Sequence, residues 1–293
     1  MNLLDGKKTS EKYIGLITEE IRLMKSSGKR VPHLAAILVG NDGASETYIG
    51  SKIKTCEKAG FTSSLFRMES TATEKQLLDE IESINNHPEI DGLIVQLPLP
   101  EHISAEKVSQ AISPRKDVDG FHPVNTGRLA QGLPCFAAAT PKGIITLIKE
   151  YKIETAGKHC VIIGRSNIVG MPLGLMLSKN AYPGNCTVTL CHSKTQNLAE
   201  ISKQADILIA ALGKAEFVTG EMVKRNAVVI DVGITRVASP ETKSGFKLKG
   251  DVHFESVAPL SSYITPVPGG VGPMTIIGLL QNTLTAAKSE IKF

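Results

Sequence analysis

The sequence predicts two α/β domains, the second built on a doubly wound parallel sheet. Three observations carry this. Short β-rich runs alternate with helical patterns through both halves of the chain, as βαβ units require. The strand-like runs are apolar throughout rather than alternating, the pattern of strands covered on both faces. Residues Pro114 to Thr140, rich in Gly and Pro with little periodicity, interrupt the alternation and mark a domain boundary or an ordered binding loop. A chain of 293 residues, 42% hydrophobic and 21% charged, is long enough for one large or two ordinary domains with a substantial core.

The elements follow in order. "SEKYIGLITEEIRLMKSSG", from Ser10, is an amphipathic helix, and "HLAAILVG" from His33 is a strand. "SETYIGSKIKTCEKAG", Ser45 to Gly60, is a second helix, with Asn41, Asp42 and Gly43 available to start it and Gly60 to end it. "FTSSLFRM" (strand), "TEKQLLDEIESINNH" (helix), "IDGLIVQLPLP" (strand into a proline corner) and "AEKVSQAIS" (short helix) complete the first half. Beyond the interruption come a linker helix, then "HCVIIG", a helix from Gly170, "TVTLC", "NLAEISKQA", "DILIAAL", a short helix near "GEMVKR", and "AVVIDVG". The crossovers are expected to be right-handed. The chain closes with "PGGVGPMTIIGLLQNTLTAAKSE", a Gly-Pro loop and an apolar helix with no strand left to serve. That helix is expected to pack on the first domain, giving domains of 1–138 rejoined by 271–293, and 139–270.

Composition narrows the function. Trp is absent and aromatics are 4%, which disfavours base-stacking surfaces for single-stranded nucleic acid. The net charge of +4 comes from 33 basic and 29 acidic residues with no block of like charge, so neither a nucleic-acid nor a membrane footprint is expected. Cys56, Cys135, Cys160, Cys186 and Cys191 are odd in number and form no C-x-x-C, which points to reduced thiols in the cytoplasm. Cys186 and Cys191, flanking the "TVTL" run, fit buried small hydrophobes. The opening "MNLLDGKKTSEKY" lacks the apolar core of a secretory signal, and no apolar run approaches membrane-spanning length.

Two constellations carry chemistry. In the second helix Ile49, Ile53 and Cys56 form the apolar stripe, while Ser45, Tyr48 and Lys52 form a neighbouring row about 60° round from its centre. A solvated lysine belongs opposite the stripe, with Lys54 and Glu57. Lys52 is therefore either a partly buried amine in a cleft or a snorkelling lysine whose stem covers apolar surface. The second constellation is "HCVIIGRSNIVGMPLGLMLSKN": a strand, a glycine turn, and a helix with Pro172 in its first turn. Gly164 suits a tight turn, and Gly170 and Gly174 suit close backbone approach, as in the dinucleotide-binding turn of a Rossmann-type sheet. Ser166 stands where the second glycine of G-x-G-x-x-G is usual, so a plain structural turn fits as well. The following strand ends "LCHSKT", without the acidic residue that takes the ribose hydroxyls of NAD. Arg165, Ser193 and Lys194 suit a 2′-phosphate instead, favouring NADP. Tyr48-x-x-x-Lys52 matches the pair of short-chain dehydrogenases, but the nucleotide turn follows it here instead of preceding it, which excludes that family.

With Tyr48, Lys52, "IVQLPLP", "KDVDGFHPVNTGRL", "GRSNIVGMP" and "TPVPGGVGPMT" in order from end to end, the sequence closely resembles the bifunctional methylenetetrahydrofolate dehydrogenase/methenyltetrahydrofolate cyclohydrolase family. The resemblance implies an oxidoreductase and hydrolase of one-carbon folate metabolism, which supplies purine biosynthesis. It implies two α/β domains with an active-site cleft between them and a cytoplasmic homodimer. Methylenetetrahydrofolate would pass a hydride to NADP, and the resulting methenyl cation would be hydrolysed to formyltetrahydrofolate. By resemblance Lys52 is the key cyclohydrolase residue, Gln96 orients it, Tyr48 packs against the folate and Asp119 holds the pterin. Gly164, Arg165, Ser166, Ser193 and Ile234 would line the NADP site.

The chemistry is coherent with these assignments. Hydride loss needs orientation rather than a base. Hydration needs proton traffic, which a desolvated amine beside a neutral amide supplies near neutral pH. A carboxylate at 119 matches the pterin's adjacent amino and ring N–H donors. Asp117, without accompanying histidines, is expected to be a loop or capping residue rather than a metal ligand, and His122 and His192 are expected to be structural or supporting groups. No metal is expected. "AAATPKG" before the linker helix and His253 in "DVHFE" depart from the family pattern, and no ligase module is expected after the last helix. A shikimate-type dehydrogenase shares the domain order but does not account for Lys52 with Gln96 and "PGGVGPMT"; a catalytically silent binding module would keep the fold without turnover.

Overall fold

The computed structural model describes residues 1–242 and 245–293. In chain order its first elements are β1 (Asn2–Leu3), α1 (Gly6–Ser26), β2 (His33–Val39), α2 (Gly43–Ala59), β3 (Thr62–Met68), α3 (Glu74–Asn86), β4 (Gly92–Val95), α4 (Ala105–Ala111) and α5 (Pro123–Ala130). There follow α6 (Ala139–Glu150), β5 (His159–Ile163), α7 (Gly170–Ser178), β6 (Thr187–Cys191), α8 (Leu198–Ser202), β7 (Ile207–Ala210), β8 (Val228–Asp231), β9 (Thr235–Ala238), β10 (Phe246–Lys249), α9 (Phe254–Val257), β11 (Tyr263–Ile264) and α10 (Val271–Ala287). The residues form two compact units, one of 11–139 with 276–293 and the other of 1–10 with 140–275.

The first unit is a parallel sheet of order β3-β2-β4 with helices on both faces. Side chains of β2 alternate between the faces. Leu34, Ala36 and Leu38 meet Ile17 and Ile21 of α1, Ile49 and Cys56 of α2, and Leu280 of α10. Ala35, Ile37 and Val39 meet Leu77 and Ile81 of α3 and Val108 of α4. Burial on both sides explains why this strand is an unbroken apolar run. A fully buried Leu or Ile contributes roughly 1.5–3 kcal/mol, so packing rather than local propensity decides which way α2 turns. The C-terminal helix is tied in by Asn282, which is fully buried and donates to the carbonyls of Val118 at 2.7 Å and Ala137 at 2.8 Å.

The second unit is a six-stranded sheet of order β1-β11-β8-β7-β5-β6, every pairing parallel. β7, inside the sheet, and its neighbour β5 carry their carboxyl ends to Ala210 and Ile163, where a doubly wound sheet binds its ligand.

Four features depart from the sequence reading. Helix α1 starts at Gly6, ahead of the expected Ser10, because Asp5 caps it: its carboxylate accepts the Lys8 N–H at 2.8 Å. The first ten residues go with the second unit, not the first, since β1 pairs with β11. The 114–140 segment contains α5, whose N-cap is His122 with Nδ1 accepting the Val124 N–H at 3.0 Å. The two-stranded antiparallel ribbon of β9 and β10 was not expected. Cys56, Cys160, Cys186 and Cys191 are free thiols, and burial pushes Cys56 up to about 12 and Cys186 up to about 11. Among the described residues no helix is long and apolar enough to cross a membrane.

Candidate active site

Helix α2 is launched by Asp42, whose carboxylate accepts the Ser45 N–H at 2.8 Å, and ended by Gly60 with φ of 90°. Its buried face is Ser45, Ile49, Lys52, Cys56 and Ala59, a single stripe at helical spacing. Lys52 therefore lies in the stripe itself, not in a row beside it, while Ile53 is only partly buried. It is 7% exposed, and its ammonium nitrogen donates to Gln96 Oε1 at 3.3 Å. Among the described residues no carboxylate pairs with it. The packing, not the stem's reach to solvent, fixes this side chain.

Gln96 directly follows β4 and continues its ladder, its N–H donating to the Ile37 carbonyl at 2.9 Å. Its amide nitrogen donates to the Leu97 carbonyl at 2.6 Å, which turns Oε1 toward Lys52. Tyr48, one turn before Lys52, keeps 39% of its surface exposed, and partial burial pushes its phenol above the usual range. The Ser45 hydroxyl is buried without a hydrogen-bond partner.

Asp119 is nearly buried and borders a recess of about 30 Å³, the size of one water, with Ile94, Val95, Leu97 and Phe121. The recess thus shares the end of β4 with Gln96. Its carboxylate takes no hydrogen bond from the described residues. Asp117 is different: its carboxylate accepts N–H groups from Gly120, Phe121 and His122 and the side-chain amide of Asn125, all within 3.1 Å. Burial still pushes its pKa up against those bonds. It is the staple of the loop that presents Asp119. The described residues contain no group of three potential metal ligands.

The glycine turn of the other unit is a close-packed cradle. Gly164 has φ of 131°, and a Cβ there would come within 2.1 Å of the Ala211 carbonyl oxygen; one at Gly170 would come within 2.0 Å of the Gly164 oxygen. Gly174 is less constrained than expected, since a Cβ would make ordinary contacts of 3.5 Å or more with Leu190 and Val188. Ser166 replaces the second glycine usefully: its hydroxyl accepts the Val169 N–H at 3.2 Å and its carbonyl the Met171 N–H at 3.1 Å. The turn opens on a cavity of about 680 Å³ lined by Gly164, Arg165, Ser166, His192, Ser193, Lys214 and Phe217, among others, with no carboxylate. That volume and that charge fit a dinucleotide phosphate. Lys194 does not line it, and its N–H donates to His192 Nδ1 at 3.2 Å. Ile234 does not line it either; it lies beyond β8, 39% exposed, beside Gly272. His253 caps α9 and shares a 2.9 Å hydrogen bond with Ser256. Sequence reasoning missed Lys214 and Phe217, although "ALGKAEF" sits at the carboxyl end of β7, next to β5, where ligand contacts are expected.

Comparison with known proteins places these features. Residues 4–119 match the tetrahydrofolate dehydrogenase/cyclohydrolase catalytic domain, and residues 138–291 match the NAD(P)-binding domain of the same family. The bifunctional protein FolD of Azobacteroides pseudotrichonymphae is 59% identical over 291 residues, covering 99% of each chain, and that of Bacteroides thetaiotaomicron is 57% identical with the same coverage. Among solved structures, the bifunctional FolD methylenetetrahydrofolate dehydrogenase/cyclohydrolase of Campylobacter jejuni superposes with a TM-score of 0.92 at 46% identity, covering 99% of this chain and 100% of that one. The Trypanosoma brucei enzyme, solved with NADP cofactor and an inhibitor, gives 0.92 at 35% identity, covering 99% of this chain and 98% of that one. Matched in both its domains and along almost its whole length, the chain belongs to the tetrahydrofolate dehydrogenase/cyclohydrolase family.

Proposed function

We propose that this chain oxidises methylenetetrahydrofolate to methenyltetrahydrofolate with NADP, then hydrolyses the methenyl compound to formyltetrahydrofolate. The observation that carries the reading is Lys52, a buried amine whose partner is the neutral oxygen of Gln96. A carboxylate would tie the amine up in an ion pair; the amide oxygen of Gln96 orients it without one. In the hydrolysis, water adds to the methenyl carbon and a ring C–N bond breaks. Lys52 takes one proton that the water sheds and returns it to the departing ring nitrogen, and the remaining hydroxyl proton leaves to solvent as the formyl C=O forms. Gln96 aims the amine, Tyr48 packs against the folate, and the unpartnered Asp119 carboxylate accepts from the pterin's amino and ring N–H groups.

NADP, when bound, supplies the hydride acceptor. The chain's part in that step is placement: the close-packed Gly164 turn lets backbone approach the pyrophosphate. Arg165, Ser166 and Ser193 address the phosphates; the Ile234 contact with the cofactor rests on the family resemblance alone, since Ile234 does not line the cavity. The acid-free end of β6 and the NADP bound by the Trypanosoma brucei relative support this cofactor over NAD. The folate part is assigned to the unit of 11–139 with 276–293, and the NADP part to the other. A cytoplasmic homodimer is part of the same reading, and the free thiols of Cys56, Cys160, Cys186 and Cys191 support a reducing compartment. The test is one assay on purified protein: NADPH formation from methylenetetrahydrofolate, then decay of the methenyl absorbance faster than the spontaneous reaction. Absence of both signals from folded protein would overturn the reading.

A further inference from the structure

The loop after β7 forms one wall of the nucleotide cavity, supplying Ala211, Leu212 and Lys214. Three consecutive N–H groups of this loop converge on one carboxylate. Leu212 and Gly213 donate to Asp251 Oδ2 at 2.7 and 3.0 Å, and Lys214 donates to Oδ1 at 2.8 Å. Gly213, with φ of 69°, supplies the left-handed step that lets successive N–H groups point inward. Asp251 is fully buried, so it cannot itself touch a ligand in the cavity.

Asp251 is in turn held by a second carboxylate. Its own N–H and that of Gly233 donate to Asp231 Oδ1 at 2.9 and 3.0 Å, and the Val252 N–H donates to Oδ2 at 2.9 Å. The packing leaves no slack: a Cβ at Gly233 would lie 2.2 Å from the Asp251 carboxylate, and one at Gly250 would lie 1.8 Å from Asp231 Oδ2. The end of β8 is thereby locked to the β7 loop through two acids. At the tip of this chain of bonds, the Lys214 ammonium stands 4.8 Å from the centroid of the Phe217 ring, and both side chains line the cavity. Lys214 forms no ion pair with the described residues. Arg165, on the turn after the neighbouring β5, is the other unpaired cation of this cavity.

We infer that Asp251 is a positioning residue for the dinucleotide, fixing the 211–214 loop so that Lys214 meets a cofactor phosphate as a second cation beside Arg165. This rests on the NADP reading above. A loop ordered before the cofactor arrives loses less entropy on binding, which is the gain such a buried clamp provides.

The experiment measures KM and kcat for NADP in the dehydrogenase reaction for the parent, Lys214→Met, Asp251→Asn and the double variant, at low and moderate salt. Cyclohydrolase turnover, which uses no dinucleotide, and the thermal midpoint report on the fold. Lys214→Met is expected to raise KM for NADP about 10-fold, the loss of one charge-assisted contact, with kcat changed less than about twofold and a weaker salt dependence. Asp251→Asn is expected to raise KM at least as much, and the double variant to add no more than about twofold to it, because both changes remove the same contact. A KM within about twofold of the parent in Lys214→Met, or effects that multiply in the double variant, would overturn the inference while the parent's NADP activity stands. If Asp251→Asn does not fold, Lys214→Met and its salt dependence decide alone. A parent that neither uses nor binds NADP would overturn the functional reading and this inference together.

Discussion

On the proposed role of Lys52, replacing it with Met should separate the two reactions. The thioether nearly matches the lysine stem in length and fills the same place in the stripe between Ile49 and Cys56. It removes one hydrogen bond, to Gln96 Oε1 at 3.3 Å, which is long and so belongs at the weak end of the roughly 0.5–1.5 kcal/mol range. Gln96 is only partly buried, so water can replace the lost donor. Putting an apolar side chain where an amine was 7% exposed offsets that loss, and stability should change by less than about 1 kcal/mol. The chemical effect is much larger. Losing a positioned proton-transfer group costs about 10²- to 10⁴-fold, or roughly 3–5 kcal/mol of transition-state stabilisation. Hydride transfer releases no proton, so dehydrogenase activity should survive in part and methenyltetrahydrofolate should accumulate. The assay is hydrolysis of methenyltetrahydrofolate by the folded variant, corrected for the spontaneous rate. Near-normal hydrolysis would refute the reasoning and return Lys52 to the role of a lysine that packs without chemistry.

Arg165→Ala should erode the preference for NADP over NAD, read as the ratio of kcat/KM for the two cofactors; equal efficiency in the parent would sink the 2′-phosphate assignment. Asn282→Leu should lower stability by about 3 kcal/mol in urea unfolding, since it strips the donor from two carbonyls at roughly 1–3 kcal/mol each; an unchanged midpoint would show that α10 is not held by this residue. Burial pushes Asp231 up to about 7, against the N–H bonds of Val252 and Asp251 that favour its charged form. A carboxyl raised on folding contributes stability that is full below its ordinary value near 4 and is lost as pH rises through about 7. Between those limits the stability of the parent relative to Asp231→Asn should fall by at most about 4 kcal/mol, and parallel pH profiles would contradict this.

The sequence disclosed most of what repeats and little of what is local. β2 and β5 were legible because strands covered on both faces are unbroken apolar runs, and α2 because Asp42 and Gly60 bracket it. The short β1 and β11 were not, since two residues each carry no periodicity and owe their strand state to pairing in the sheet. Helix α5 escaped because its cap is a histidine and Gly127 interrupts its pattern. In the site, Lys52 stood out as a charge too near an apolar stripe. Asp251 could not stand out, because its value lies in three N–H groups some 37 to 39 residues upstream. Lys214 was hidden for the opposite reason: a lone lysine after a strand looks like any solvated loop residue until the cavity it lines is seen.

Helix α2 and the loop that carries Asp119 are where the fold leaves polar groups incomplete. Several other buried polar groups are well served: Asp117 accepts from four donors, Asp251 from three, and Asn282 donates to two carbonyls. Among the described residues the buried side-chain atom without a hydrogen-bond partner is the hydroxyl of Ser45, on the same stripe as Lys52 and two turns before it. An unmade buried hydrogen bond costs about 1–3 kcal/mol, and alanine there would avoid the cost and favour the helix. Against those fully served groups, the Ser45 hydroxyl stands out on the same stripe as Lys52, whose side chain has one neutral contact, to Gln96. Local rules give way where a site must stay ready for a ligand. On that ground we propose that the folate chemistry uses the face of α2 that carries Ser45 and Lys52, toward Gln96.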